Sequence, residues 1–159
     1  MIRTADIGDS SEIAHVITET WKTAYVGIIH EEYPHKMEVN FFKKIIEKNI
    51  TFEREIIYVY EIDKQIVGFI SGRKIDISSF EVIGFYVLPA HQGKGLGQTL
   101  FNKIREHSKS INCSLIRLKT LHGARNNSFY EKNGLQNKKN IALELDGNVY
   151  DGIEYYLDN

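Results

Sequence analysis

The chain reads as an α+β fold: a mixed, mostly antiparallel central sheet flanked by helices, with one central β-α-β crossover. Three observations carry this reading. IIYVYEI and QIVGFISGRKI are β-branched and aromatic runs joined only by Asp63-Lys64, the spacing of a hairpin. IALELDGNVY, continuing through EYYL, turns at Asp146-Gly147, a strong two-residue hairpin signal. Between them, EVIGFYVL and CSLIRLKTL are separated by a helix-length amphipathic stretch, which makes one parallel crossover.

The remaining elements follow in order. IRTA is a short first strand. DSSE places Asp9 and Glu12 as a capping box ahead of Ile13, Val16, Ile17, Trp21 and Ala24, whose spacings of three and four define one helical face. Residues from Gly27 to Lys36 are irregular and contain Pro34; a second helix covers Glu38 to Lys48. Gly68 and Gly72 mark bulges or a close backbone approach. The crossover helix runs from Lys94 to about Ser110, with Leu96, Leu100, Ile104 and Ile111 inward. RNNSFYEKN is a short helix stopped at Gly134. Neither repeats nor a linker interrupt the sequence, so a single domain over residues 1–159 is expected.

Composition excludes several classes. The 159 residues carry a net charge of -1, which speaks against nucleic-acid binding. No uncharged run approaches the ~20 residues of a membrane span, and MIRTADIGDSSE lacks the apolar core of a signal peptide. Cys113, the lone cysteine, sits in an apolar stretch and reads as a buried thiol in a reducing compartment. A cytoplasmic location is the simplest expectation. The histidines show no metal-ligand spacing with one another or with Cys113, so no metal is expected.

The stretch with chemistry in it is VLPAHQGKGLGQTLF, residues 87–101. Glycines at 93, 95 and 97 stand where a strand becomes a helix. They serve a turn that needs positive φ, or they let an anion approach the backbone. Helix starts expose unpaired N–H groups and partial positive charge. No Asp or Glu lies between Gln92 and Ile104, and Lys94 adds positive charge, so the balance favours a phosphate or pyrophosphate. The spacing fits neither a Walker loop nor a Rossmann fingerprint.

Gln92-x-x-Gly95-x-Gly97 behind a strand ending FYVLP resembles the acetyl-CoA pyrophosphate loop of the GNAT N-acetyltransferase superfamily. FYEKNGL, from Phe129 to Leu135, resembles that family's second signature, and TWKTAYVGII resembles a stretch of one bacterial subgroup of unsettled substrate. The order of elements matches the GNAT fold over nearly the whole chain. The resemblance implies direct acetyl transfer from acetyl-CoA to a primary amine of a small molecule or peptide. It implies that Gln92, Gly93, Lys94, Gly95, Leu96, Gly97 and Gln98 hold the pyrophosphate, mainly through backbone N–H groups. Phe85, Tyr86 and Val87 would pair with the pantetheine arm. It also allows a homodimer.

Tyr130 is the implied acid, since a phenol with a reference pKa near ~10 is protonated at neutral pH and can return a proton to CoA thiolate. The other reading is a buried Tyr anchoring its helix. Where the family often has a cofactor-contacting Asn, seven residues before this Tyr, the chain has Gly123; Asn126 or Asn127 would substitute. Glu81 is the candidate base acting through water, or else a solvated strand-end carboxylate. Strand alternation places it on the side of Ile83, Phe85 and Val87. His122 is a second base candidate and a pocket residue, or a loop histidine. Tyr25 and Trp21 are expected at the acceptor pocket, with core packing the leading reading for Trp21. Glu31 and Glu32 would attract a cationic amine or simply be solvated. Without turnover, the same features would describe an acyl-CoA-binding sensor or interaction module. A nucleotide-binding module is the remaining rival, for which no base-recognition element is found.

Overall fold

The computed structural model describes residues 1–30 and 32–159, the side chains of His35 and Asn137 excepted. Glu31, expected to attract an amine, therefore lies outside the described residues. In chain order the elements are β1 (Ile2–Thr4), α1 (Ser10–Ala24), α2 (Glu32–Lys36), α3 (Val39–Thr51), β2 (Ile56–Ile62), β3 (Gln65–Lys74), β4 (Ser79–Val87), α4 (Leu96–Ser110), β5 (Leu115–Leu121), α5 (Asn127–Lys132), β6 (Asn137–Leu145) and β7 (Asn148–Asp158). The strands form one seven-stranded sheet in the order β1-β2-β3-β4-β5-β7-β6, and only β4 and β5 pair in parallel. This is the expected α+β architecture, with α2 added inside the segment read as irregular.

Apolar side chains divide between the sheet's two faces. On one face, Leu100, Phe101 and Ile104 of α4 and Tyr130 of α5 pack against Ile70, Phe80, Val82, Ile116, Leu118 and Tyr155. On the other, Ile13, Val16 and Ile17 of α1 and Ile46 of α3 cover Ile57, Val59 and Phe69. Removing the apolar area of such side chains from water drives the association, at about 25 cal/mol per Å².

The entry to α1 differs from the capping box read in DSSE. Asp6 caps a turn of 3-10 helix at Ile7–Asp9 and forms a reciprocal box with Asp9, so α1 starts without a side-chain cap bond. Asp9 is engaged elsewhere: it accepts the Asp6 N–H at 2.8 Å, and Arg3 on β1 donates to its Oδ2 at 2.7 Å and Oδ1 at 2.9 Å, and also to Glu61 Oε2 at 2.8 Å. Glu12 instead accepts the backbone N–H of Ile66 at 2.8 Å, tying α1 to β3. Hydrogen bonds from Arg3 hold the Asp9 carboxyl below its ordinary value near 3.8, against the opposing effect of burial. A depressed folded-state pKa stabilises the fold above the unfolded value and ceases to do so as pH falls through the folded one. Asp9→Asn should therefore cost about 1–3 kcal/mol at pH 7 in urea unfolding, the range for hydrogen bonds to charged groups. That difference from wild type should shrink below about pH 4; a cost independent of pH would contradict the charged pairing.

Two features of β4 shape the site. The β3–β4 register steps between Ser71↔Gly84 and Gly72↔Val82, which leaves Ile83 as an unpaired bulge residue. A Cβ on Gly72 would stand 2.4 Å from Phe80 and 2.5 Å from the Glu81 carbonyl oxygen, the close approach expected of that glycine. The bulge reverses the side-chain alternation. Phe85 and Val87 therefore join Phe80 and Val82 on the α4 face, while Glu81 points to the face that α1 and α3 cover. The expectation that Glu81 shares a side with Phe85 and Val87 is corrected here. In addition, the parallel ladder runs only from Ser79↔Leu115 to Val82↔Leu118. Beyond it β4 and β5 diverge, and the edge of β4 from Ile83 to Val87 faces an opening.

Candidate active site

The glycine loop forms one side of that opening. Gly93 and Gly95 have φ of +74° and +83°, in the left-handed region that favours glycine, and a Cβ at either would meet nothing within 4 Å. The turn therefore needs positive φ, and open space lies in front of it. Gly95 is the N-cap of α4 with no side-chain cap bond, and the first turn contains no acid. Its free N–H groups and the helix dipole suit an anion. Gly97 has an ordinary φ; its Cβ position is 3.6 Å from Phe85 and 3.7 Å from Phe129, on the cavity wall.

The polar side chains of the loop brace the loop itself. Gln92 Nε2 donates to the Val87 carbonyl at 2.8 Å, and Lys94 Nζ donates to that of Ala90 at 2.9 Å. These two side chains are thereby engaged within the loop, and its backbone N–H groups are the donors left facing the opening.

The cavity in front of the loop has a volume of about 430 Å³ and is lined by Phe85, Val87, Gln92, Gly93, Gly95, Gly97, Gln98, Asn126, Phe129 and Tyr130. Most of the residues named as cofactor-binding are thus brought together, Asn126 among them. Tyr86 is not on this wall, because alternation turns its side chain toward α1, where its hydroxyl accepts from Trp21 Nε1 at 3.2 Å. Phe129, within FYEKNGL, carries no signal in the sequence that would single it out. It stacks edge-on against Phe85 and Phe101, with centroids 5.4 and 5.9 Å away, and closes the apolar wall.

A smaller notch of about 30 Å³ sits in the divergence of β4 and β5, lined by Tyr25, Val82, Ile83, Phe85, Tyr86, Leu118, Lys119, Thr120 and Tyr130. Phe85 and Tyr130 line both spaces, so Tyr130 stands where the cofactor-side cavity meets the opposite face. The side chain is buried, and among the described residues its hydroxyl has no hydrogen-bond partner. Burial, then the neighbouring Tyr86 and Tyr155, push its pKa well above the ordinary phenol value, which keeps the proton on. Burial likewise raises Tyr25, whose ring lies 4.5 Å from that of Trp21.

The other candidates are placed as follows. The mostly buried Glu81 carboxylate lies 3.7 Å from Lys119 Nζ, on the face from which Tyr25 enters the notch. His122 is exposed and lines neither space; its backbone N–H bonds the Asp151 carbonyl at 2.9 Å. Trp21 is part of the packed interior and supports Tyr86 and Tyr25. Glu32 is exposed and pairs with Lys36 at 3.4 Å. Among the described residues, no group of three His, Cys, Asp or Glu is placed to hold a metal, and no helix is long and apolar enough to cross a membrane.

A sheet that splits between two parallel strands, beside a glycine-rich helix start, defines the fold class of the acyl-CoA-dependent N-acetyltransferases. The acetyltransferase (GNAT) domain model matches residues 53–136, and the chain belongs to that family. It is 28% identical over 144 residues to a spermidine N(1)-acetyltransferase of Thermoplasma acidophilum, covering 85% of this chain and 87% of the relative. It is also 28% identical over 124 residues to an uncharacterised N-acetyltransferase of Archaeoglobus fulgidus, covering 74% and 79%. Among solved structures, the PaiA N-acetyltransferase of Thermoplasma acidophilum in complex with coenzyme A superposes with a TM-score of 0.82 at 25% identity, covering 100% of this chain and 98% of that one.

Proposed function

We propose that the chain transfers the acetyl group of acetyl-CoA directly to a primary amine, with the two substrates meeting at Tyr130 from opposite faces of the sheet. The observation that carries this is the position of Tyr130, which lines both the cavity and the notch and whose phenol is held protonated with no hydrogen-bond partner among the described residues. Acetyl-CoA fits the larger space. Its pyrophosphate lies against the N–H groups at the start of α4, and its pantetheine arm lies along the free edge of β4. The acceptor amine enters the notch beside Tyr25 and Ile83.

The amine arrives as an ammonium ion, and Glu81 receives its proton through water. The neutral nitrogen attacks the thioester carbon, the C–N bond forms and the C–S bond breaks. The acylated nitrogen sheds its second proton as the C–S bond breaks, Tyr130 gives its own proton to the departing sulfur, and the proton shed by nitrogen restores the phenol. The sum is acetyl-CoA plus ammonium giving acetamide, CoA thiol and one proton. An acyl-CoA sensor would need none of this proton traffic, nor a phenol at the junction of the two spaces.

The spermidine-acetylating relative makes polyamines the first acceptors to try, beside monoamines and peptide α-amines. Transfer of labelled acetyl from acetyl-CoA to at least one of these classes tests the proposal; cofactor binding with no labelled product from any of them would refute it. Glu81→Gln should lower kcat at neutral pH by about 100-fold, the lower end of general-base effects. The loss should shrink as pH rises toward the amine's own pKa, near ~10, where the base is no longer required. A loss that does not vary with pH would remove Glu81 from this role.

A further inference from the structure

Asn127 is buried at the first position of α5, a position where packing alone would select an apolar residue. Both ends of its amide are engaged. Nδ2 donates to the Leu121 carbonyl at 2.9 Å, and Oδ1 accepts from the buried Thr120 hydroxyl at 3.1 Å. Thr120 and Leu121 end β5 beyond the last β4 pair at Leu118, so on that side no strand holds them. The amide therefore fastens α5 to the end of β5 that β4 leaves unpaired.

We infer that Asn127 is a positioning residue for Tyr130, setting the angle at which α5 presents the phenol to the meeting point of cavity and notch. This rests on the catalytic reading of Tyr130 given above. Tyr130 follows three residues later, on the same side of the helix as Asn127. With six residues, α5 is far too short to be stable alone, so its orientation comes from tertiary contacts. The ring of Tyr130 itself packs against aromatic rings: Tyr155 at 5.7 Å, Phe129 at 5.9 Å and Phe85 at 6.3 Å between centroids; the far end of α5 is tied to β7 by the Tyr155 hydroxyl, which donates to Glu131 at 3.1 Å. Ring contacts hold depth well but direction loosely, whereas two directional hydrogen bonds across a single amide fix direction. A buried primary amide is tolerated only when satisfied, which makes this contact selective for one arrangement of helix and strand.

The test is a double-mutant cycle read in kcat and in the KM for acetyl-CoA. Asn127→Ala should lower kcat about 10- to 50-fold while the KM for acetyl-CoA changes less than about 3-fold. Combined with Tyr130→Phe, it should add almost nothing to the loss caused by Tyr130→Phe alone, because residues acting as a unit are non-additive. Losses that multiply would overturn the inference, as would an unchanged kcat in Asn127→Ala. Thr120→Val, which keeps the volume and removes only one hydrogen bond, repeats the cycle should Asn127→Ala fold poorly. Its kcat should fall about 3- to 5-fold with the same non-additivity; multiplying or absent losses would again contradict the inference. The two readings separate cleanly. A Tyr130→Phe enzyme with wild-type turnover would sink the acid assignment itself, whereas a slow Tyr130→Phe beside an unaffected Asn127→Ala would sink only the positioning role.

Discussion

Tyr130→Phe should lower kcat about 10²- to 10⁴-fold, the span of positioned general acids, while acetyl-CoA affinity stays within about 2-fold. The separation follows from geometry. The ring supplies the apolar contacts with Phe85, Phe129 and Tyr155, and phenylalanine keeps all of them. Only the hydroxyl is lost, and among the described residues it bonds nothing in the folded protein. Stability should therefore hold, since removing the hydroxyl orphans no partner. A melting temperature that drops with kcat unchanged would identify Tyr130 as a structural anchor. Steady-state kinetics beside calorimetric titration with CoA decides between the two.

Gly95→Asp should weaken acetyl-CoA binding about 100-fold or more relative to Gly95→Asn, although the two variants have nearly the same shape. Asn and Asp both tolerate the left-handed φ of +83° better than other side chains, so the backbone strain is shared. They differ by one negative charge at the mouth of a helix N-terminus. Two like charges about 5 Å apart at an effective dielectric near 20 repel by about 3 kcal/mol, which sets the expected ratio. The same carboxylate lies favourably against the dipole of α4 and should stabilise the free protein by about 0.3–1 kcal/mol. The variant would thus be more stable and bind less. Equal CoA affinities for Asn and Asp would place the pyrophosphate elsewhere.

The glycine loop was legible because its function is written in backbone requirements. Residues without Cβ, a missing acidic cap and a following amphipathic helix are all local, and the structure shows each of them at 93–97. The element order was legible for the same reason, down to the hairpin turns at Asp63-Lys64 and Asp146-Gly147, where all four residues have positive φ. What the sequence concealed depends on residues far apart. The alternation that sent Glu81 toward Phe85 assumes an unbroken ladder, and one unpaired residue at Ile83 reverses it. Asp9, expected to cap α1, is engaged instead by the Asp6 N–H and by Arg3, whose contact appears only once β1 lies beside α1. Asn127 stood next to Asn126 with nothing to tell them apart. Helix geometry turns Asn126 to the cavity and buries Asn127 against β5. His122 looked chemically apt for a base, yet the strand end leaves it in solvent.

The central claim is direct passage of the acetyl group between two substrates bound at once, and a single-turnover experiment tests it. With enzyme in excess over acetyl-CoA, free CoA thiol is followed with and without an amine from the class that accepts label. The account predicts no thiol without the amine, and about one equivalent, matched by acetylated amine, when it is present. A burst of thiol in the absence of amine would show an acetyl-enzyme intermediate and contradict direct transfer. A protein that binds acetyl-CoA and releases no thiol with any amine would contradict the enzyme itself.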